Sequence, residues 1–423
     1  MAITYLHVTV AGATTKTGAT WATAMDMAAW FAHMTNTVIA DTVYYTEEGT
    51  YTLSAALTLA RDGTAATPIC VVGVLSGTTN EGVNVVYSDY AFLTHRPLLA
   101  GGANAFALNG ADYWNYKNLR VTSSAANGFQ VGNYCTNENV KCTNNGGSWA
   151  FYDGAQVIYR NCEGTSTGYV FRMYSGGRAM NCYAHDSPTG FYLGNYASII
   201  NSIADTCSTA GVQMSSKFSC SVVGNTIYGC GTGIAASTAY IAVVANNIIS
   251  QCTKGAEWTT AEPSNVWAGN LWNNTTDVTL VTKGITDTSV AVGTAVMSGA
   301  VGGDFTLTHE AARSTAAQLT TDDGLSAAAF HATPGVDQTG DFPAVAAVLS
   351  TDTTDGTVGT YHPCLVAEVL STVSFGAGSA ETGTYHEAVE AEVQKDVAFG
   401  AGSALTGAYS SGSLVGPSAL ISG

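Results

Sequence analysis

From residue 116 to 273, apolar and polar positions recur in a fixed order about every twenty residues. Phe129, Phe151, Phe171, Phe191, Val212 and Ile234 fall in one column, and Val131, Asp153, Met173, Leu193, Met214 and Ala236 fall in a second, two residues further on. Between them lie Gln130, Tyr152, Arg172, Tyr192 and Gln213. Alternation places the first two columns inside a strand-built body and the third outside it. A glycine precedes the apolar residue at Gly128, Gly168, Gly190, Gly211 and Gly233.

An asparagine column keeps step with these strands: Asn118, Asn139, Asn161, Asn181, Asn201, Asn225, Asn247 and Asn270, at spacings of 21, 22, 20, 20, 24, 22 and 23 residues. Repeats of this length cannot bury a core singly and must stack. No Leu-x-x-Leu-x-Leu phrase occurs and no helical stripe fits within a repeat, which excludes a leucine-rich horseshoe and predicts a parallel β-helix. Each coil would rise about 4.8 Å, so eight coils would extend roughly 38 Å. Asparagine suits a coil corner because it tolerates the left-handed conformation. Stacked amides can also bond to the copies above and below, so the eight residues are expected to form one structural ladder.

These columns resemble the right-handed parallel β-helix, or pectate-lyase-like, superfamily over residues 40–310. The resemblance implies an all-β solenoid and leaves function open, because such scaffolds carry unrelated activities. Residues 1–100 read as an N-terminal cap and first coils, with a helix over 19–34 whose stripe is Trp21, Met25, Ala28, Ala29 and Phe31 and whose cap is Thr20. Such a helix would cover the open end of the solenoid. The coils fill 101–340, with late strands at 278–281 and 304–307. The acidic stretch at 320–324 and Pro334-Gly335 mark the domain end.

Residues 341–423 carry a different repeat. Phe375 and Phe399, and Tyr385 and Tyr409, are each 24 apart, and Tyr361 begins the same series. Short strands between FGAGSA and TGTY turns read as β repeats that pack between chains or along another protein. They resemble repeats of tailed-bacteriophage virion proteins found near the ends of tail-associated polypeptides. That resemblance implies partnership with other virion proteins and a homotrimer like those of phage spikes. His362 and His386 share a repeat position and read as exposed turn residues, with a metal ring on a trimer axis as the alternative.

Composition narrows the partners. Charged residues are 11% of the chain and the net charge is −17 with only 14 Lys plus Arg, so clustered cations for nucleic-acid phosphates are lacking. No apolar run is long enough to insert in a membrane. The N-terminus lacks the basic flank and apolar core of a secretory signal, which points to assembly in a host cytoplasm, with an extracellular location as the alternative. Cys162 and Cys182 stack in one column, and Cys207, Cys230 and Cys252 in another. Parallel side chains one coil apart are too widely set for relaxed bridges, so free thiols are expected. Their spacing is that of the coil, not of a zinc site. No cofactor or metal is expected.

Candidates for chemistry are Asp153, Glu163, Arg160, Arg172, Arg178, His185 and Asp186. Asp112, Asp153, Asp186 and Asp205 fall at different points of the coil, so nothing in the pattern sets two carboxyls at the separation glycoside cleavage requires. Asp153 is anomalous among apolar neighbours. A local slip turning it outward, an interior hydrogen bond and an active acid are the three readings. The outward stripe Gln130, Tyr152, Arg172, Tyr192 and Gln213 offers ring planes and donors to a glycan or a protein partner. Ordinary cross-strand pairing is the plainer account.

The sequence reading is therefore a non-enzymatic virion protein, tail- or surface-associated and in contact with a host receptor or surface glycan. A tailspike-type depolymerase and a secreted adhesin or filament subunit are the alternatives.

Overall fold

The computed structural model describes residues 3–307 except 37–40, 54–58, 60, 75–95, 103–105, 108–110, 125–126, 216–218, 237–241, 260–265, 281, 285, 293 and 300–303, and beyond these six two-residue strands. The chain divides into two compact units, 1–342 and 343–423.

The first unit is a right-handed parallel β-helix. Three short strands and three corners make each coil, and every strand pairs in parallel with its counterpart one coil away. Ile158–Arg160, Glu163–Ser166 and Tyr169–Met173 form one coil. Arg178–Met180, Tyr183–His185 and Thr189–Leu193 form the next, in unbroken register. The third strand column is a nine-stranded sheet of its own. The first two columns merge because Trp114–Ser123 and Thr136–Asn144 run through both. Inside, Phe129 meets Phe151 edge-on at a centroid separation of 6.1 Å, and Phe151, Phe171 and Phe191 stack at 4.6 and 5.0 Å.

The asparagines form two files, not one. Register aligns Asn118, Asn139, Asn161, Asn181 and Asn201 with Gly224, Asn246 and Gly269. All eight of these residues have positive φ, between 48° and 70°. This is the corner file, and it uses asparagine and glycine because both accept a left-handed backbone. Asn225, Asn247 and Asn270 sit one residue later, aligned with Cys162, Cys182 and Ser202 and fully buried. There the amides do bond in sequence: Asn225 Nδ2 donates to Asn247 Oδ1 at 3.0 Å, Asn247 Nδ2 to Asn270 Oδ1 at 2.9 Å, and Asn270 Nδ2 to Asp287 Oδ1 at 3.1 Å. In the corner file, one bond of this kind joins Asn139 to Asn118, at 3.0 Å.

The glycine column also shifts, by two residues, at a single coil. Tyr169 pairs with Thr189, so Val170 and not Gly168 occupies the place of Gly190. At that place the coil is thin: a Cβ on Gly190 would lie 2.6 Å from the Gly211 carbonyl oxygen and 3.2 Å from Cys207 Sγ. Gly190→Ala is expected to lower the urea-unfolding free energy by about 1–3 kcal/mol, the cost of overpacking. An unchanged midpoint would contradict this packing.

The nine described cysteines are unbridged and all but Cys70 are buried. Thiols in both columns donate to the carbonyl two residues back, as Cys182 does to Met180 at 3.4 Å and Cys252 to Ser250 at 3.5 Å.

At the N-terminal end the helix begins later than its sequence pattern predicts. Thr20 caps only a short 3-10 turn, Trp21–Thr23. The Met25 backbone then pairs with His7 and Thr9. The helix proper is Met27–Asn36, capped by Asp26, whose Oδ1 accepts the Ala29 N–H at 2.8 Å. Its buried residues are Trp30 and Met34, and Trp30 packs on Tyr44 and Tyr51 of the first coils at 6.2 and 5.7 Å. At the other end, Asp304–Leu307 pairs antiparallel with Met297–Gly299, so it is not a coil strand.

In the second unit, Val373–Ser374 pairs antiparallel with Thr382–Gly383, and Val397–Ala398 pairs with Thr406–Gly407. The two pairings have the same register, offset by 24 residues. Tyr361, His362, Phe375, Tyr385, His386, Phe399, Tyr409, Pro334-Gly335 and the acidic stretch at 320–324 lie outside the described residues.

Candidate functional site

The third strand column builds a cleft of about 730 Å³ on its outer face, where Tyr152, Arg172 and Tyr192 from three consecutive coils meet Trp149, Tyr174, Ser175, Asn195 and Ser215. Trp149 stacks on Tyr169 with centroids 4.2 Å apart and planes 21° apart, and meets Tyr192 edge-on at 5.3 Å. The Arg172 guanidinium carbon lies 4.1 Å from the Tyr152 ring centroid, 5.0 Å from Tyr174 and 5.9 Å from Trp149. Ring faces attract the cation and hold it flat without consuming its donors. The result is an apolar platform around a positioned fork of N–H groups, a combination suited to a sugar ring with an acceptor beside it.

Of the five outward residues read from the sequence, Tyr152, Arg172 and Tyr192 line this cleft. Gln130 and Gln213 continue the same column and do not line it. Gln130 instead accepts from Asn127 Nδ2 at 3.2 Å. Trp149 and Tyr169 escape a period-two reading because Ala150 and Phe151 both point inward, so two buried positions separate Trp149 from Tyr152. Their signal is the coil spacing itself, an aromatic at each of two positions twenty residues apart.

Asp153 lies inside, 3% exposed, and not turned out by a slip. Its Oδ1 accepts the Tyr174 N–H at 3.0 Å. Burial pushes its carboxyl well above the usual carboxylate range, and the Tyr174 amide, the Arg172 charge and the Tyr159 hydroxyl oppose that only in part. The residue holds the backbone of the corner from which Tyr174 and Ser175 enter the cleft, so it is a positioning residue.

A second cluster lies on the second strand column. Glu163 Oε1 meets Lys141 Nζ at 2.5 Å and His185 Nε2 at 3.2 Å, while His185 Nδ1 meets Asp186 Oδ2 at 2.8 Å. Tyr183 stacks on His185 at 4.3 Å, and its hydroxyl donates to Asp205 Oδ2 at 3.2 Å. Glu163, His185, Asp186 and Asp205, dispersed along the coil pattern, are therefore brought together. Asp112 stays apart, bonded to Asn133. Arg160 and Arg178 are exposed on the first column.

Burial raises Asp205 to about 6. Burial alone would lower His185, but its bonds to Glu163 and Asp186 outweigh this and the net shift is upward. A carboxyl with a raised folded pKa binds its proton more tightly when native, so stability falls as pH climbs from about 4 to about 6 and stays lower above. The histidine acts in the same sense, losing its favourable contribution as pH rises through its folded value. Asp205→Asn is expected to raise the thermal midpoint at neutral pH and leave it unchanged near pH 4. A uniform shift at both pH values would contradict the assignment.

The fold and cleft together define a parallel β-helix with an arginine-centred aromatic site on its third strand column. The profile of a family described as "Periplasmic copper-binding protein (NosD)" matches residues 109–300. Among solved structures, pectate lyase Pel9A is similar at 16% identity, over 63% of this chain and 79% of that chain, with a TM-score of 0.41. A mannuronic acid specific polysaccharide family 6 lyase from human gut microbiota is similar at 11% identity, over 58% of this chain and 62% of that chain, with a TM-score of 0.45. The GH136 lacto-N-biosidase from Eubacterium ramulus is similar at 10% identity, over 68% of this chain and 66% of that chain, with a TM-score of 0.37. No functionally curated protein matches the chain significantly.

Proposed function

We propose that this chain is a non-enzymatic β-helical rod that holds a glycan in the Arg172 cleft, as a surface-associated component of a tailed-bacteriophage particle. The observation that supports glycan contact is the Arg172 guanidinium set among the Tyr152, Tyr174 and Trp149 rings on an outward face. Holding rather than hydrolysis is favoured because the described residues that line the cleft include no carboxylate side chain. Glycoside hydrolysis generally uses two carboxyl groups about 5 to 9.5 Å apart, and Asp153 is a single buried acid bonded to a backbone amide.

The phage assignment draws on the 24-residue C-terminal repeats and their matching antiparallel pairings, which supply attachment to other virion proteins or contacts within a homotrimer. A copper centre, named for the matching family, does not fit these residues. Burial pushes the Cys142, Cys182 and Cys230 thiols upward, which opposes the thiolate form that binds metal. Among the described residues no group of three His, Cys, Asp or Glu side chains is arranged to hold a metal ion.

The test is a panel of bacterial surface polysaccharides assayed for both binding and release of reducing or unsaturated ends. Binding without product supports the proposal. Turnover would establish the depolymerase reading, and failure to bind any glycan would remove the site.

A further inference from the structure

A second cleft, of about 460 Å³, adjoins the first: Ser175 lines both, and Gln156, Gly176, Arg178 and Tyr196 line the second. The shared residue sits on the corner at 174–177, where the third strand column turns into the first. One corner file runs through this site. Tyr113, Tyr134, Gln156, Gly176 and Tyr196 occupy it in successive coils, with φ of 58°, 58°, 55°, 72° and 58°. Bulky residues seldom adopt this backbone, and such strain concentrates where a surface has a task.

The tyrosines project from the corner: Tyr134 is 42% exposed and Tyr196 is 59% exposed. Tyr113 and Tyr134 stack at 4.7 Å with planes 7° apart. The one member of the file without a side chain is Gly176, and there the second cleft opens, with the Tyr196 ring as a wall.

The two clefts each carry an arginine. In a chain of net charge −17, Lys16, Lys117, Lys141, Lys254 and Lys283 each pair with a carboxylate. Among the described residues, no ion pair involves Arg172 or Arg178. Each cleft thus holds one arginine outside any ion pair, on opposite sides of one corner.

We infer that the two clefts form a single track around this corner for an anionic oligosaccharide, with Arg172 and Arg178 each taking a carboxylate or sulfate and Tyr196 supplying a further stacking face. The inference rests on the glycan-binding reading of the Arg172 cleft and adds the second cleft and the charge of the ligand.

The test is calorimetric titration of the full chain with oligogalacturonates and heparin-derived sulfated oligosaccharides, each as disaccharide and octasaccharide, and with cello-oligosaccharides as neutral counterparts. An octasaccharide of one anionic series should bind more tightly than its disaccharide, and the series that does so identifies carboxylate or sulfate. Arg178→Gln and Tyr196→Ala should each weaken the octasaccharide about ten-fold and leave the disaccharide unchanged. Gly176→Asn, which keeps the corner backbone and fills the cleft, should do the same.

Octasaccharide binding that is insensitive to all three substitutions would overturn the track while leaving the Arg172 cleft standing. Equal affinity for cello-oligosaccharides would overturn the anionic assignment. Absence of all binding, with Arg172→Ala also without effect, would remove the first cleft and the track together.

Discussion

Asn247→Ala is expected to cost about 2–4 kcal/mol of unfolding free energy, because a buried donor left without its acceptor costs roughly 1–3 kcal/mol and more than one bond is lost. Asn247 Oδ1 accepts both the backbone N–H and Nδ2 of Asn225, at 2.8 and 3.0 Å, and its own Nδ2 donates to Val222 and Asn270. Alanine strands the Asn225 N–H between two coils where no water reaches. Asn181→Gly, in the corner file, is expected to change stability by less than about 1 kcal/mol, because glycine enters the left-handed region freely. Urea unfolding of the two variants beside the parent makes the comparison. Equal losses would mean that the two files do the same work.

The second large effect is on binding. Arg172→Ala is expected to weaken glycan affinity about ten- to a hundred-fold, the range of one charge-assisted bond worth roughly 1.5–3 kcal/mol. Trp149→Ala should approach this, because it removes the ring stacked on Tyr169 and one of the faces around the guanidinium. Neither substitution touches the interior, so the unfolding midpoint should hold. Asp153→Asn retains an acceptor for the Tyr174 amide and should leave affinity within about two-fold of the parent. Titration of the three variants with one glycan separates the roles. A sharp loss in Asp153→Asn with Arg172→Ala unaffected would reverse them.

The coil was legible in the sequence because its period appears in several residue types at once. The Phe129, Phe151, Phe171 and Phe191 column and its register follow from spacing alone. What spacing does not resolve is a slip of one residue. Asn201 and Asn225 fit the same phrase, yet the corner of the later coil is Gly224. The distinguishing signal is local: Gly-Asn at 224, Asn-Asn at 246 and Gly-Asn at 269 supply a corner residue and a buried amide in succession.

The cleft was half legible for a related reason. Alternation finds Tyr152, Arg172 and Tyr192, but it fails where a strand emerges from a corner, which hides Trp149 and Tyr169. It also says nothing of corner residues, so the Tyr196 file, whose backbone is unusual for tyrosine, left no pattern. The acid cluster around His185 was missed because register, not sequence proximity, brings Glu163 and Asp205 to the same face.

The most direct test is a crystal structure grown with the glycan that binds most tightly in the polysaccharide panel. An intact saccharide is expected, with one ring lying against Trp149 and an acceptor group on the Arg172 guanidinium. A saccharide seated elsewhere on the rod, or cleaved in the cleft, would contradict this expectation.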